Sequence, residues 1–334
     1  MLTAIAAIFV FLLVVVIHEG GHFTVAKLVG IKVNEFAIGM GPKLFQKTKG
    51  ETVYTLRALP IGGYVKMEGE DEDSDDPRGF SKVSVWSRIA VVSAGAIMNF
   101  VLAIVVLSIV AFSLGHPTTT IDEVLVDSPA MEYGVLSGDK IVSIDGVEIK
   151  EWNQIVDTIN SSETSKILNI NVQRNDTIIS LQVKPMLDND RVVIGIVPES
   201  EKSILKSIGA GFEDTAYFIK LMFNFIAMLF QGQVSTNDLA GPVGVISEIG
   251  NQAKLGFINL LYILGFISVN LGFFNLLPIP ALDGSRIVFL LVEAVRGKPV
   301  DPKKEGFIHF LGFIFLISLM LLVTYKDLIK INLF

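Results

Sequence analysis

Three ionisable side chains, His18, Glu19 and His22, stand within five positions of one another in VVVIHEGGHF (14–23), after seventeen residues without a charged side chain. On a helix, positions i and i+4 share one face, so His18 and His22 can converge on one ion with Glu19 beside them. This H-E-x-x-H arrangement supplies two imidazole ligands and a carboxylate able to act as general base toward water. A charged side chain at membrane depth costs about 2.5–3.5 kcal/mol even on the lenient insertion scale, so such groups need a partner. A metal ion fits this spacing, and zinc fits these ligands. Gly20 and Gly21, each costing about 1 kcal/mol in a helix interior, leave room for another backbone or a substrate to approach.

Two histidines do not complete a catalytic zinc site, which takes three protein ligands and an open position. The chain has no cysteine, and only His116 and His309 remain among the histidines. Asp283, in NLLPIPALDGSR (275–286), is the better third ligand. It follows an apolar span and lies on the same side as the C-terminal part of the first helix. Pro278 and Pro280 break the helix there, and broken backbone at membrane depth is tolerated only around a protein-lined cavity. The plainer alternative is a helix-exit turn capped by Asp283.

The elements that must position these groups are membrane spans. The chain is 51% hydrophobic over 334 residues, with mean hydropathy +0.58. A helix needs roughly 20 mostly apolar residues to cross a bilayer. Residues 3–25, 90–114, 258–278 and 307–324 qualify, giving about four transmembrane helices. No Lys or Arg precedes Lys27, so residues 1–17 are read as a retained span and not as a cleaved signal peptide. The apolar stretch 216–230 contains Lys220 and is short, so it is expected to lie at the interface as an amphipathic helix.

The loop 27–88 holds ten Lys and Arg residues, and 284–306 holds five. Positive-inside reasoning puts both segments in the cytoplasm, and 116–257 outside. Net charge is −7, with no basic footprint for nucleic acid. Within the first loop, GPKLFQKTKGETVYTLRALPIGGYVKM alternates as in a β-hairpin. The acidic run EGEDEDSDDPRGF (68–80) is read as a solvated segment without chemistry.

Residues 116–198 are polar, with short β-rich runs and one helical stretch, NQIVDTINSS. They predict a small α+β domain. Within it SPAMEYGVLSGDKIVSIDGVEI (128–149) resembles a PDZ domain of the bacterial protease type. Such domains bind extended peptides by adding a strand to a sheet edge.

Taken together, HEGGH (18–22), FAIGMGPKLF (36–45), RALPIGGYVKMEGEDEDSDD (57–76), MNF (98–100), the single PDZ-like segment, AGPVGV (240–245) and NLLPIPALDG (275–284) resemble the bacterial site-2 proteases. These are intramembrane zinc metalloproteases, and the likeness is to the regulator-of-sigma-E protease type. It covers nearly the whole chain. It implies His18, His22 and Asp283 as zinc ligands and Glu19 as catalytic base. It implies Asn275 as a group that holds substrate backbone near the metal. It also implies that Gly62, Gly63, Tyr64 and Val65 lie on a membrane-associated hairpin offering an edge to unwound substrate. Two departures stand out. Gly95-Ala96 replaces the Gly-Pro that often precedes the MNF motif, where only a local change is expected. There is also room for one PDZ domain where some members carry two.

The expected fold is a polytopic α-helical membrane protein with a membrane-associated β-hairpin region and one extracytoplasmic α+β PDZ domain. The expected division is a first membrane part at 1–115, the PDZ domain at 116–198, a linker with an interfacial helix at 199–257 and a second membrane part at 258–334. The resemblance implies a multi-pass protein of a bacterial plasma membrane, active toward the cytoplasmic side. Its substrates would be single-span membrane proteins, anti-sigma factors or signal-peptide remnants, after a first extracytoplasmic cut. The PDZ domain would bind a peptide or act as a substrate filter. The alternative is a catalytically inactive membrane scaffold or chaperone with a structural metal site. Glu19 separates the two, since a structural site needs no base beside an open coordination position.

Overall fold

A computed structural model describes residues 1–70, 74–234 and 240–330. The chain divides into two compact units, one formed by 1–110 with 208–334 and the other by 111–207.

The first unit opens with helix α1, Leu2–Leu28. Its 27 residues rise about 40 Å at 1.5 Å each, enough to cross a bilayer. Ala7, Val10, Val14 and Gly21 are buried, at spacings of three, four and seven that define one inward stripe. Strands β1, Val33–Lys49, and β2, Thr52–Met67, follow as an antiparallel hairpin. Both strands are long enough to fold over. Glu35–Ile38 of β1 partner Val53–Leu56 of β2 and also Gly63–Lys66. Val53–Leu56 in turn partner Phe45–Thr48. Two strands therefore make four side-by-side segments, with 63–67 as an outer one. Helix α2, Val85–Leu114, is the second long apolar helix.

The second unit holds strand β3, His116–Val124, short helix α3, Pro129–Glu132, strands β4, Lys140–Ile144, and β5, Val147–Glu148, and helix α4, Trp152–Asn160. Strands β6, Leu168–Arg174, β7, Thr177–Val183, β8, Met186–Asp188, β9, Arg191–Val193, and β10, Ile196–Glu201, complete it. The main sheet runs β10-β3-β4-β6-β7, with β5 paired to β4. Asn175 and Asp176 both take positive φ between β6 and β7, as do Asn189 and Asp190 between β8 and β9. Two such residues suit tight hairpins because their short polar side chains tolerate the left-handed region. Ile141, Ile144, Ile155, Leu168, Ile170 and Val172 form the core. This is the small α+β domain expected from the alternating pattern.

The first unit resumes with α5, Ile204–Phe230, whose first residues belong to the second unit. It runs well before the 216–230 stretch and packs Phe218 against Ala103, Leu107 and Val269. Helix α6, Pro242–Leu255, has Pro at its start, where the missing N–H costs nothing. Its Ile249 is fully buried among residues of α1. Helices α7, Phe257–Leu276, α8, Asp283–Arg296, and α9, Pro302–Lys330, follow. Asp327 of α9 accepts a hydrogen bond from Gly244 N–H at 2.8 Å and so caps the first turn of α6.

Among the described residues four helices, Leu2–Leu28, Val85–Leu114, Phe257–Leu276 and Lys303–Ile329, are long and apolar enough to cross a membrane, in line with the four apolar runs. The acidic run behaves differently from a free solvated segment. Lys32 pairs with Glu68 at 3.3 Å and Asp76 at 3.2 Å, and Glu70 pairs with Arg286 of α8. Asp71, Glu72 and Asp73 of that run lie outside the described residues.

Candidate metal centre

The C-terminal half of α1 carries His18, Glu19 and His22, and the first residue of α8 is Asp283. His18 Nε2 lies 3.2 Å from Asp283 Oδ2, and His22 Nε2 lies 3.4 Å from the same atom. The two Nε2 atoms are 3.2 Å apart. Four-coordinate zinc with ligand distances of about 2.0–2.1 Å has edges of about 3.3 Å between ligand atoms. The three separations match those edges. Asp283 Oδ2 is buried and has no hydrogen-bond partner among the described residues. An orphaned carboxylate oxygen between two imidazole nitrogens is a site shaped for a cation. Two imidazoles and one carboxylate are also a usual zinc donor set, so the residues present fit the metal.

Each element has a local reason to place its ligand. Helix α7 ends at Leu276, ahead of Pro278 and Pro280, which cannot continue it. Ala281 takes φ +75, a left-handed conformation costly for a residue with a Cβ. Its N–H donates to His309 Nδ1 of α9 at 3.1 Å, which holds the turn. A Cβ on Gly312 would lie 2.5 Å from the Pro280 carbonyl oxygen, so α9 presses directly on this break. Asp283 then enters α8 at its positive end, where a carboxylate is favoured.

The crossing of α1 and α2 shapes the other side. A Cβ on Gly21 would lie 2.5 Å from Ala94 O, whereas Gly20 faces open space. Of the two glycines, Gly21 admits the neighbouring backbone. Gly95 of α2 faces the imidazoles directly, and a Cβ there would collide with His22 Nε2 and lie 2.7 Å from His18 Cε1. His22 Nδ1 donates to Val91 O at 2.9 Å, which leaves Nε2 with its lone pair toward the site.

A cavity of about 580 Å³ opens beside this group, lined by His18, Glu19, His22 and Asp283 and by Gly63, Tyr64 and Val65 of the outer β2 segment. Gly63 sits against Glu19, whose Cγ would lie 3.0 Å from a Cβ there. Gly62 takes φ +76 beside Met40 and is not among the residues lining the cavity. Asn275 Nδ2 approaches His18 Nε2 at 3.5 Å. Tyr64 receives a hydrogen bond from Arg57 at 2.6 Å. Burial would push the nearby Glu35 carboxyl up, but hydrogen bonds from Thr55 and Tyr64 and the charges of Lys43 and Arg57 hold it below the usual carboxylate range. Sequence reasoning missed Val91, and it noted Gly95 and the MNF run containing Asn99 only as marks of the resemblance, without a place at the metal group. The visible signal for Asn99 was a polar amide in an otherwise apolar span.

The model of peptidase family M50 matches residues 6–319. A zinc metalloprotease homologue of Clostridium acetobutylicum is 40% identical over 331 residues, covering 97% of each chain. The zinc metalloprotease RasP of Bacillus licheniformis is 34% identical, covering 97% of this chain and 98% of that one. The regulator of sigma-W protease RasP of Bacillus subtilis is 32% identical with the same coverage. The two Bacillus alignments run over 412 and 413 positions, so those relatives carry insertions that this 334-residue chain lacks. A crystal structure of the PDZ domain of an SdrC-like protein from Listeria monocytogenes is 26% identical, covering 25% of this chain and 88% of that one, at TM-score 0.23. The full-length relatives and the family match, joined to a histidine pair and aspartate that converge on one point, make this chain a multi-pass membrane zinc metalloprotease belonging to peptidase family M50.

Proposed function

We propose that this protease cuts single-span membrane proteins within or beside the bilayer, on the cytoplasmic side, after another protease has shortened them outside. The observation that carries this reading is one cavity lined by the metal group, by Glu19 and by the outer β2 segment. A transmembrane helix keeps its peptide bonds in intrahelical hydrogen bonds and must unwind before hydrolysis. An unwound segment in lipid needs new partners for its backbone groups, and an outer strand supplies them. Gly62–Val65 would take that role, beside the reacting centre.

His18, His22 and Asp283 would hold zinc, which when bound polarises the scissile carbonyl and acidifies water. Glu19 takes the proton from the attacking water and delivers it to the leaving amine. Asn275, beside His18, would donate from its amide to the substrate backbone and hold it in line. The PDZ-like domain would face outside, where it binds or filters the shortened substrate. The Lys and Arg asymmetry between 27–88 and 116–257 supports this orientation. The Bacillus subtilis relative is named for regulating sigma-W, which supports anti-sigma factors as one substrate class. Signal-peptide remnants are the other.

Membrane proteomics of cells carrying wild type or Glu19→Gln tests the reading. Already shortened single-span proteins should accumulate in the variant. Identical membrane proteomes would overturn it, and accumulation of uncut precursors would move the protein to an earlier step.

A further inference from the structure

Asn99 is fully buried in α2, and its amide faces His18 Nδ1, with Nδ2 at 3.2 Å. Its Oδ1 is buried without a hydrogen-bond partner among the described residues. A buried amide oxygen left unpaired costs about 1–3 kcal/mol. His18 offers the remedy. Its Nε2 is the nitrogen that faces His22 and Asp283 at 3.2 Å. To ligate a cation, that nitrogen must keep its lone pair, so the ring proton must sit on Nδ1. A proton on Nδ1 needs an acceptor, and Asn99 is at hand. A half-turn of the amide exchanges Oδ1 and Nδ2 at unchanged shape. The turned amide accepts from His18 Nδ1–H, which gives Oδ1 its partner and carries Nδ2 to the place Oδ1 leaves. With Nδ2 toward His18 instead, the amide donates to Nδ1, and the proton moves to Nε2, where it blocks ligation.

We infer that Asn99 is the positioning residue of the metal centre, holding His18 in its ligating tautomer by accepting Nδ1–H through Oδ1. It does for His18 what the Val91 carbonyl does for His22. Val91, Gly95 and Asn99 are spaced by four, so one face of α2 supplies an acceptor, a gap and an acceptor against the two rings. The Asn99 backbone oxygen accepts from Ser268 Oγ of α7 at 2.8 Å, which ties the residue to the helix that leads to Asp283. The inference rests on His18 ligating through Nε2.

The test uses the full chain purified in detergent, with zinc as the probe and a chelator as competitor. Asn99→Leu should weaken zinc binding about 10–100-fold, the usual cost of losing a ligand's orienting partner. Asn99→Asp keeps an acceptor of the same shape and should retain zinc. Because Asn99→Leu could unfold at this buried position, ¹⁵N-histidine NMR of the zinc-loaded wild type is the second arm. It should place the His18 proton on Nδ1, in a spectrum of only four histidines. A proton on Nε2, or wild-type affinity in Asn99→Leu, would overturn the inference. So would equal zinc loss in the Asp and Leu variants. The wild-type zinc content of one ion per chain, abolished by His18→Ala, is read in parallel. Failure there would remove the ligand set itself, and the proposal with it.

Discussion

Gly95 of α2 stands where any side chain would run into the imidazole of His22, and its missing Cβ is the space in which the two ligand rings sit. Gly95→Ala would drive a methyl group into His22 Nε2 and to within 2.7 Å of His18 Cε1. Interiors of this density yield by about 1–3 kcal/mol of strain or by shifting the ring. The expected result is a folded protein whose zinc affinity falls at least about tenfold, read by chelator competition. Unchanged affinity would mean that α1 and α2 can separate freely at this crossing.

Glu19 and Asp283 line the same cavity, and their variants should part company. Glu19→Gln keeps the shape and loses the base. It should keep its zinc and cleave a model single-span substrate at least about 100-fold more slowly. Asp283→Asn should lose zinc as well as activity, because its Oδ2 sits 3.2 and 3.4 Å from the two ring nitrogens. Metal analysis beside the cleavage assay separates them, and near-normal cleavage by Glu19→Gln would end the assignment of the base.

The chain has no cysteine, so single cysteines report topology without background. Ser161 and Asp75 are both exposed. Ser161→Cys should react with an impermeant thiol reagent on intact cells or spheroplasts, and Asp75→Cys only after permeabilisation. The opposite pattern would invert the orientation.

In the 111–207 unit, Asp139 is fully buried and receives Arg174 through two hydrogen bonds of 2.6 and 2.7 Å. Burial pushes this carboxyl up, but Arg174 and the Leu136 N–H outweigh it, and the pKa ends below the usual value. A lowered carboxylate pKa stabilises the fold above the unfolded value of about 3.9 and loses that contribution as pH falls through the folded value. Protection of the β4 and β6 amides, taken relative to their intrinsic exchange rates, should therefore be flat from neutral down to about pH 4 and fall only below it. Asp139→Asn should lose that acid dependence and cost about 1–3 kcal/mol of local stability at neutral pH. An acid profile unchanged by the substitution would assign the dependence to other carboxylates.

The metal ligands on α1 were legible because one turn of helix decides their spacing. Asp283 was legible because two prolines announce a break at membrane depth. The small domain was legible because short β-rich runs and one helical stretch are local chemistry. The inner partners were not. Helices α1 and α7 are apolar nearly all round, and lipid is as apolar as a protein interior. No periodicity in such a helix marks which face meets a neighbour.

Sequence alone therefore determined the histidine pair of the metal group, the four apolar helices, the hairpin and the small α+β domain, since each rests on residues near one another in the chain. Tertiary structure decided that α2 passes with Val91, Gly95 and Asn99 against the imidazoles, and that β1 and β2 fold over to leave 63–67 outermost beside Glu19. It also decided that α6 inserts beside α1 under the cap of Asp327. These are matters of shape between distant segments, settled by close packing and by finding partners for buried polar atoms, and neither is written in any single stretch of chain.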